Sequence, residues 1–140
     1  MKVLLGTTVL ALAWLATGNA QNNPIQYFVV QRPTIIAFFP PVTDAGLEKD
    51  PDTNEALGDF QLYAIRAGPR LKKAGIDFEV VDAATFKTRA GKVVRTFSTG
   101  KVGIGYYFIV PGKQPRIEYG VMTDEDILKI AHEYFKIALE

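Results

Sequence analysis

The sequence contains no cysteine and only one histidine, His132, among its 140 residues. Without a thiol, disulfides, thiolate nucleophiles, cysteine-ligated zinc and cysteine-ligated clusters are all excluded. A single imidazole cannot assemble the multi-histidine sites that hold catalytic zinc. A net charge is also nearly lacking: sixteen Lys and Arg stand against fifteen Asp and Glu. That balance gives no long-range attraction to nucleic acid, and none is expected as a partner. What the chain does have is apolar mass, 48% hydrophobic residues including the 11% that are aromatic. This excludes intrinsic disorder and suffices for one domain. A domain of this size buries roughly two-thirds of its unfolded surface, so it needs no disulfide even in an oxidising compartment.

The first twenty residues point to such a compartment. Met1-Lys2 is a minimal positive start, Val3 to Ala16 is an uncharged and mostly apolar run, and Gly18 and Ala20 occupy the two positions that a signal peptidase reads. The expectation is a signal peptide over residues 1–20 and a secreted or periplasmic domain over residues 21–140. A transmembrane anchor needs about 20 apolar residues. This run is shorter and passes straight into Gln21-Asn22-Asn23-Pro24, so no stable membrane anchor is expected after cleavage. Loss of Lys2 leaves fifteen basic and fifteen acidic residues.

No repeat, low-complexity tract or long linker divides the remainder. Gln26–Gln31 has strand composition and stops at Arg32-Pro33. Thr34–Phe39 is a nearly continuous apolar run, which suits a strand covered on both faces, and Pro40-Pro41 ends it. After a polar loop, a helix is expected from about Asp52–Asn54 to Ala74. Its apolar stripe is Leu57, Phe60, Ala64, Ala67 and Leu71, and a kink is expected at Pro69. Ile76–Val81 reads as a strand. Phe86–Arg89 and Lys92–Phe97 read as a hairpin around Ala90-Gly91. Tyr106–Val110 and Arg116–Tyr119 read as an antiparallel pair. Thr123-Asp124-Glu125-Asp126 resembles a capping box opening a last helix, which buries Ile127, Leu128, Ala131, Tyr134, Phe135 and Ala138.

This order, with Pro69 inside the long helix, Gly103–Val110 leading into a strand, and Lys113–Val121 followed by a capped helix, resembles the thioredoxin-like family over Thr34–Leu139. The resemblance implies an α/β fold: a central mixed β-sheet with helices on both faces, plus a hairpin insertion. It places the family's two redox cysteines on Gln61 and Ala64 and its cis-proline on Gly105. Neither Gln61 nor Ala64 can form the thiolate or mixed disulfide that exchange requires, so disulfide oxidoreductase activity is excluded. The implied substrate groove consists of Phe60, Gln61 and Leu62 at the helix start, Ile104 and Gly105 before the strand, and Gly120 and Val121 at the last turn. In that family an extended chain is held there by backbone hydrogen bonds. In the place of a cis-proline, Gly105 is expected to adopt backbone angles closed to residues with a Cβ.

Other motifs have plainer explanations. Thr99–Gly105 fails as a phosphate loop because Arg95 stands where the first glycine belongs and no Ser or Thr follows Lys101. Asp50–Asn54 begins like a calcium loop but has Glu55 at the turn glycine's place and Gln61 at the bidentate glutamate's. No metal and no cofactor are expected. His132 borders a buried helical stripe, and Asp124, Glu125 and Asp126 are accounted for by helix capping.

Charge placement is the most unusual feature. Ala83 to Ile117 contains no acidic residue, whereas Asp44–Asp59 is predominantly acidic. On a hairpin, Lys87, Arg89 and Arg95 are candidates for one anion-contacting face. Three readings follow: a redox-inactive module binding an unknown protein or peptide, an enzyme of another class on this scaffold, or a binder of an anionic surface. Fold class alone does not choose among them.

Overall fold

The computed structural model describes residues 25–39, 51–83, 85–98 and 103–138. The expected signal peptide and the Gln21 cleavage site lie outside these residues. The described elements are β1 (Gln26–Val29), β2 (Thr34–Phe38), α1 (Pro51–Lys73), β3 (Asp77–Val81), β4 (Thr85–Ala90), β5 (Val93–Ser98), β6 (Gly105–Ile109), β7 (Arg116–Tyr119) and α2 (Asp124–Phe135).

The first helix opens with proline, whose missing amide donor costs nothing in a first turn, and with Asp52 where the dipole favours an acid. Arg70, Lys72 and Lys73 occupy its last turn, and Gly75 at φ 84° ends it. Leu57, Phe60, Ala67 and Leu71 form its buried stripe, and Pro69 is accommodated inside the helix. In α2 the N-cap is Thr123, whose Oγ1 accepts the Asp126 N–H at 3.2 Å. That helix ends at Phe135 with Lys136 in the left-handed region, so Ala138 lies beyond it and is exposed rather than buried.

Four strands form one sheet in the order β3-β2-β6-β7. β2 and β3 run parallel, while the β2–β6 and β6–β7 pairs are antiparallel. Every residue of β2 and β6 is buried, as a strand covered on both faces requires. Ile35, Ala37, Tyr106 and Phe108 point to the side occupied by both helices and pack with Phe60, Leu71, Ile127 and Ala131. Ile36, Phe38, Tyr107 and Ile109 point to the other side.

That other side corrects the expectation of helices on both faces. It is covered by a second sheet of order β1-β4-β5, with β1 parallel to β4 and β5 antiparallel to it. Phe86 and Phe97 stack at 5.1 Å between ring centroids, and both rings meet Tyr107. The physical reason is local. Residues 85–98 alternate in the two-residue period of a strand, and the turn between β4 and β5 is Gly91-Lys92, with Gly91 at φ 64°. A hairpin therefore supplies the cover, and Gln26–Val29 joins it.

Gly105 also departs from expectation. All peptide bonds among the described residues are trans, and Gly105 is not in the left-handed region. It sits in register between Phe38 and Tyr119, within β6 rather than before it. Glycine is required there by contact. A Cβ would lie 2.8 Å from Phe38 Cε1, still closer to Cζ, and 2.9 Å from the Glu118 carbonyl oxygen. Gly58, by contrast, lies exposed within α1 with nothing within 4 Å of a Cβ. Opposite responses to the same methyl group are therefore expected in denaturant titrations. Gly105→Ala should lose about 1–3 kcal/mol by overpacking, whereas Gly58→Ala should gain about 0.5–1 kcal/mol from helix propensity. Losses of similar size at both positions would contradict this account.

Candidate functional site

Several of the groove residues implied by the resemblance come together at one end of the four-stranded sheet. Gly120 N–H donates to the Ile104 carbonyl at 2.7 Å, and Met122 N–H donates to the Tyr106 hydroxyl at 3.4 Å. The Phe60 ring lies 5.8 Å from that of Tyr106. Their accessibility divides them. Phe60 is fully buried and Gly105 lies beneath the Phe38 ring, so neither presents surface to a partner. Gln61 and Leu62 are exposed on α1, as are Gly120 and Val121 after β7.

One implied feature is corrected. Phe60, Gln61 and Leu62 are not at a helix start, because α1 begins at Pro51, ten residues before Gln61. Amides in mid-helix are committed to carbonyls four residues back, so Gln61–Ala64 lacks the free N–H groups and dipole end that a reactive helix N-terminus offers.

The accessible part of this region is the β7 edge. Among the described residues β7 pairs only with β6, which leaves its outer backbone edge open. Ile117 and Tyr119 project on the same side as Tyr107 and Gly105, at 41% and 58% exposure, and Val121 follows at 38%. Arg116–Tyr119 is the antiparallel partner of β6 expected from the sequence, but nothing local in it shows that its apolar residues, Ile117 and Tyr119, are the exposed ones. Position in the sheet order carries that information. Arg116 donates twice to Glu118, at 2.8 and 3.0 Å, which occupies both charges on the other side of the strand.

The hairpin cations fall on two sides. Lys87 pairs with Thr96 and Arg89 with Val94, on the outer side of the second sheet beside Tyr27 and Val29. Arg95 pairs with Thr88, on the inner side, so it does not share a face with Lys87 and Arg89. Cross-strand register decides this: Arg89 stands opposite Val94, so the next residue, Arg95, turns inward with Thr88. No strand of this sheet carries an acidic residue.

Elsewhere, His132 is exposed, with Nδ1 2.7 Å from the Ile137 carbonyl oxygen. Asp124, Glu125 and Asp126 form the first turn of α2, and Glu125 meets Arg70 at 3.1 Å. Asp52, Thr53 and Asn54 are helical, while Asp50 lies outside the described residues, as do residues 99–102 of the glycine-rich segment. Among the described residues no three His, Asp or Glu side chains cluster as metal ligands, and no helix is long and apolar enough to cross a membrane. Burial raises the pKa values of Tyr106, Tyr107 and Tyr134.

One carboxylate is displaced from its ordinary behaviour. Glu79 lies beside Ile36 on the side of the sheet that faces the second sheet. Burial raises its pKa, and the charge of Asp77 adds to the effect, although Arg32 holds Asp77 at 2.6 Å. The folded protein therefore holds the Glu79 proton more tightly than the unfolded chain does. Its contribution to stability is full below the ordinary carboxylate pKa and is lost as pH rises through the raised value. Glu79→Gln should accordingly raise the denaturation midpoint at pH 7, and the difference from the wild type should vanish below about pH 4. A difference independent of pH would assign the effect to packing.

Comparison with protein-family models, with curated proteins and with solved structures gives no match for this chain, so its function has to be argued from its own residues.

Proposed function

We propose that this chain is an exported, redox-inactive binding module of thioredoxin-like architecture that takes up an extended segment of a peptide or protein along β7. The observation that carries the proposal is the open edge of β7, flanked by the exposed side chains of Ile117, Tyr119 and Val121. An extended chain laid there would add a fifth strand. Backbone hydrogen bonds would supply affinity, and alternate side chains meeting Ile117 and Tyr119 would supply selectivity. The thioredoxin-like reading is supported by the β3-β2-β6-β7 order and the parallel β2–β3 pair, whereas the second sheet in place of a helix layer departs from it. The export reading rests on residues 1–20 and requires that N-terminal sequencing of the secreted protein begin at Gln21; retention of Met1 would remove it. The redox-inactive part of the reading rests on the absence of any thiol in the sequence.

Peptides selected from a random library against the purified protein provide the test. Their binding should slow amide exchange along β7. Tyr119→Lys should weaken it by about ten-fold or more, the loss that accompanies a central aromatic anchor. Tyr119 is largely exposed, so this variant leaves the fold intact. Selected peptides that ignore Tyr119→Lys but are lost with Lys87→Glu/Arg89→Glu would overturn the proposal in favour of an anion-binding outer sheet.

A further inference from the structure

A recess of about 300 Å³ lies where the β4–β5 turn approaches the β6–β7 turn. Its polar lining includes Arg95, Lys113 and Thr88, its apolar lining includes Val93, Ile109 and Val110, and no acidic residue takes part. The position of Arg95 is the anomaly. The inner side of the second sheet carries Phe28, Phe86, Thr88, Ala90, Val93 and Phe97, and Arg95 is the only charge there. Arg95 is half-buried at this position, and a guanidinium turned to this side is better held when an anion meets it. Among the described residues, Arg95 forms no ion pair. Thr88, its cross-strand neighbour, is 1% exposed.

The second cation is held in place. Lys113 Nζ donates to the Tyr134 carbonyl at 3.2 Å and stands 4.1 Å from the centroid of the Tyr134 ring. An ammonium has three donors, so two remain for another acceptor. The Tyr134 hydroxyl donates to the Gln114 carbonyl at 2.5 Å, which fixes the ring beside the recess. The positive charge of Arg95 acts on the Tyr134 hydroxyl, opposing the effect of burial on its pKa.

We propose that this recess binds a small organic carboxylate with an apolar body, the carboxylate between Arg95 and Lys113 and the body against Val93, Ile109 and Val110. A guanidinium offers a planar pair of donors that matches a carboxylate, and the ammonium adds a point charge. The aliphatic wall favours an acid carrying a hydrocarbon chain over a fully hydrated inorganic anion, whose desolvation that wall would not repay. The volume lies at the lower end of the range for small-molecule sites, which limits the ligand to a short acid. The site lies apart from the Tyr119–Val121 end of β7 and is independent of the binding proposed there.

Hexanoate, hexan-1-ol and inorganic phosphate distinguish the parts of this proposal. Titrated into the ¹⁵N-labelled protein, hexanoate should shift the amide resonances of Val93, Ile109 and Gly112 saturably. Hexan-1-ol and phosphate should each bind at least about ten-fold more weakly, the loss expected when one of two required contacts is absent. Arg95→Gln should reduce hexanoate affinity by a similar factor, and Lys113→Gln, an exposed position, provides a second measurement if the first variant folds poorly. Equal binding of hexan-1-ol would remove the charge requirement, and equal binding of phosphate would remove the apolar body. Absence of saturable shifts, or unchanged affinity in both variants, would overturn the proposal outright.

Discussion

Two strands with no exposed residue set the terms for everything else in this molecule. β2 and β6 lie side by side at the centre of their sheet, and their side chains point alternately to both faces. Neither face can be left in water without exposing Ile, Phe and Tyr side chains, each worth roughly 1.5–3 kcal/mol when buried. The chain meets the demand asymmetrically. Two helices cover one face through aliphatic and aromatic stripes, and a three-stranded sheet covers the other with Phe86 and Phe97 against Tyr107. The close approach of Phe38 to Gly105 belongs to the same solution, since a ring can cross a strand at that distance only where no Cβ stands in the way.

Much of this was legible in the residues. The uninterrupted run Thr34–Phe39 identified a doubly covered strand, the stripe from Leu57 to Leu71 identified α1, and Thr123 identified the start of α2, because each signal is local and periodic. What covered the second face was not legible. Gln26–Val29 and residues 85–98 read individually as strands, but their pairing in a separate sheet depends on contacts between distant segments that no short window contains. The position of Arg95 was lost for a related reason. Parity along one strand relates Lys87 to Arg89, but relating either to β5 requires the cross-strand register, which the Gly91-Lys92 turn sets. The groove suffered from counting back from Pro69. That spacing treated Gln61 and Ala64 as a helix start, although the helix expected from Asp52–Asn54, and found from Pro51, already runs in front of them.

Charge is distributed by sheet. Every strand residue of the β1-β4-β5 sheet is neutral or basic, whereas Asp77, Glu79 and Glu118 lie in the four-stranded sheet. The separation leaves no carboxylate opposite Lys87, Arg89 or Arg95 within their own sheet. Sheets of opposite character sharing one core attract weakly across it. They also present different electrostatic surfaces to the surroundings, although the net charge of the whole is close to zero.

The parallel pairing of β1 with β4 has a kinetic consequence. Gln26 takes its place beside Phe86, sixty positions later, whereas β4 and β5 are joined by a two-residue turn. Closing the short turn costs little chain entropy and closing the long loop costs more, so the hairpin can assemble before its third strand arrives. Loop closure alone therefore favours the hairpin as the platform on which β1 docks. Until β1 is in place, the edge of β4 that it covers presents unpaired backbone groups, so this one strand shields the sheet from edge-to-edge pairing.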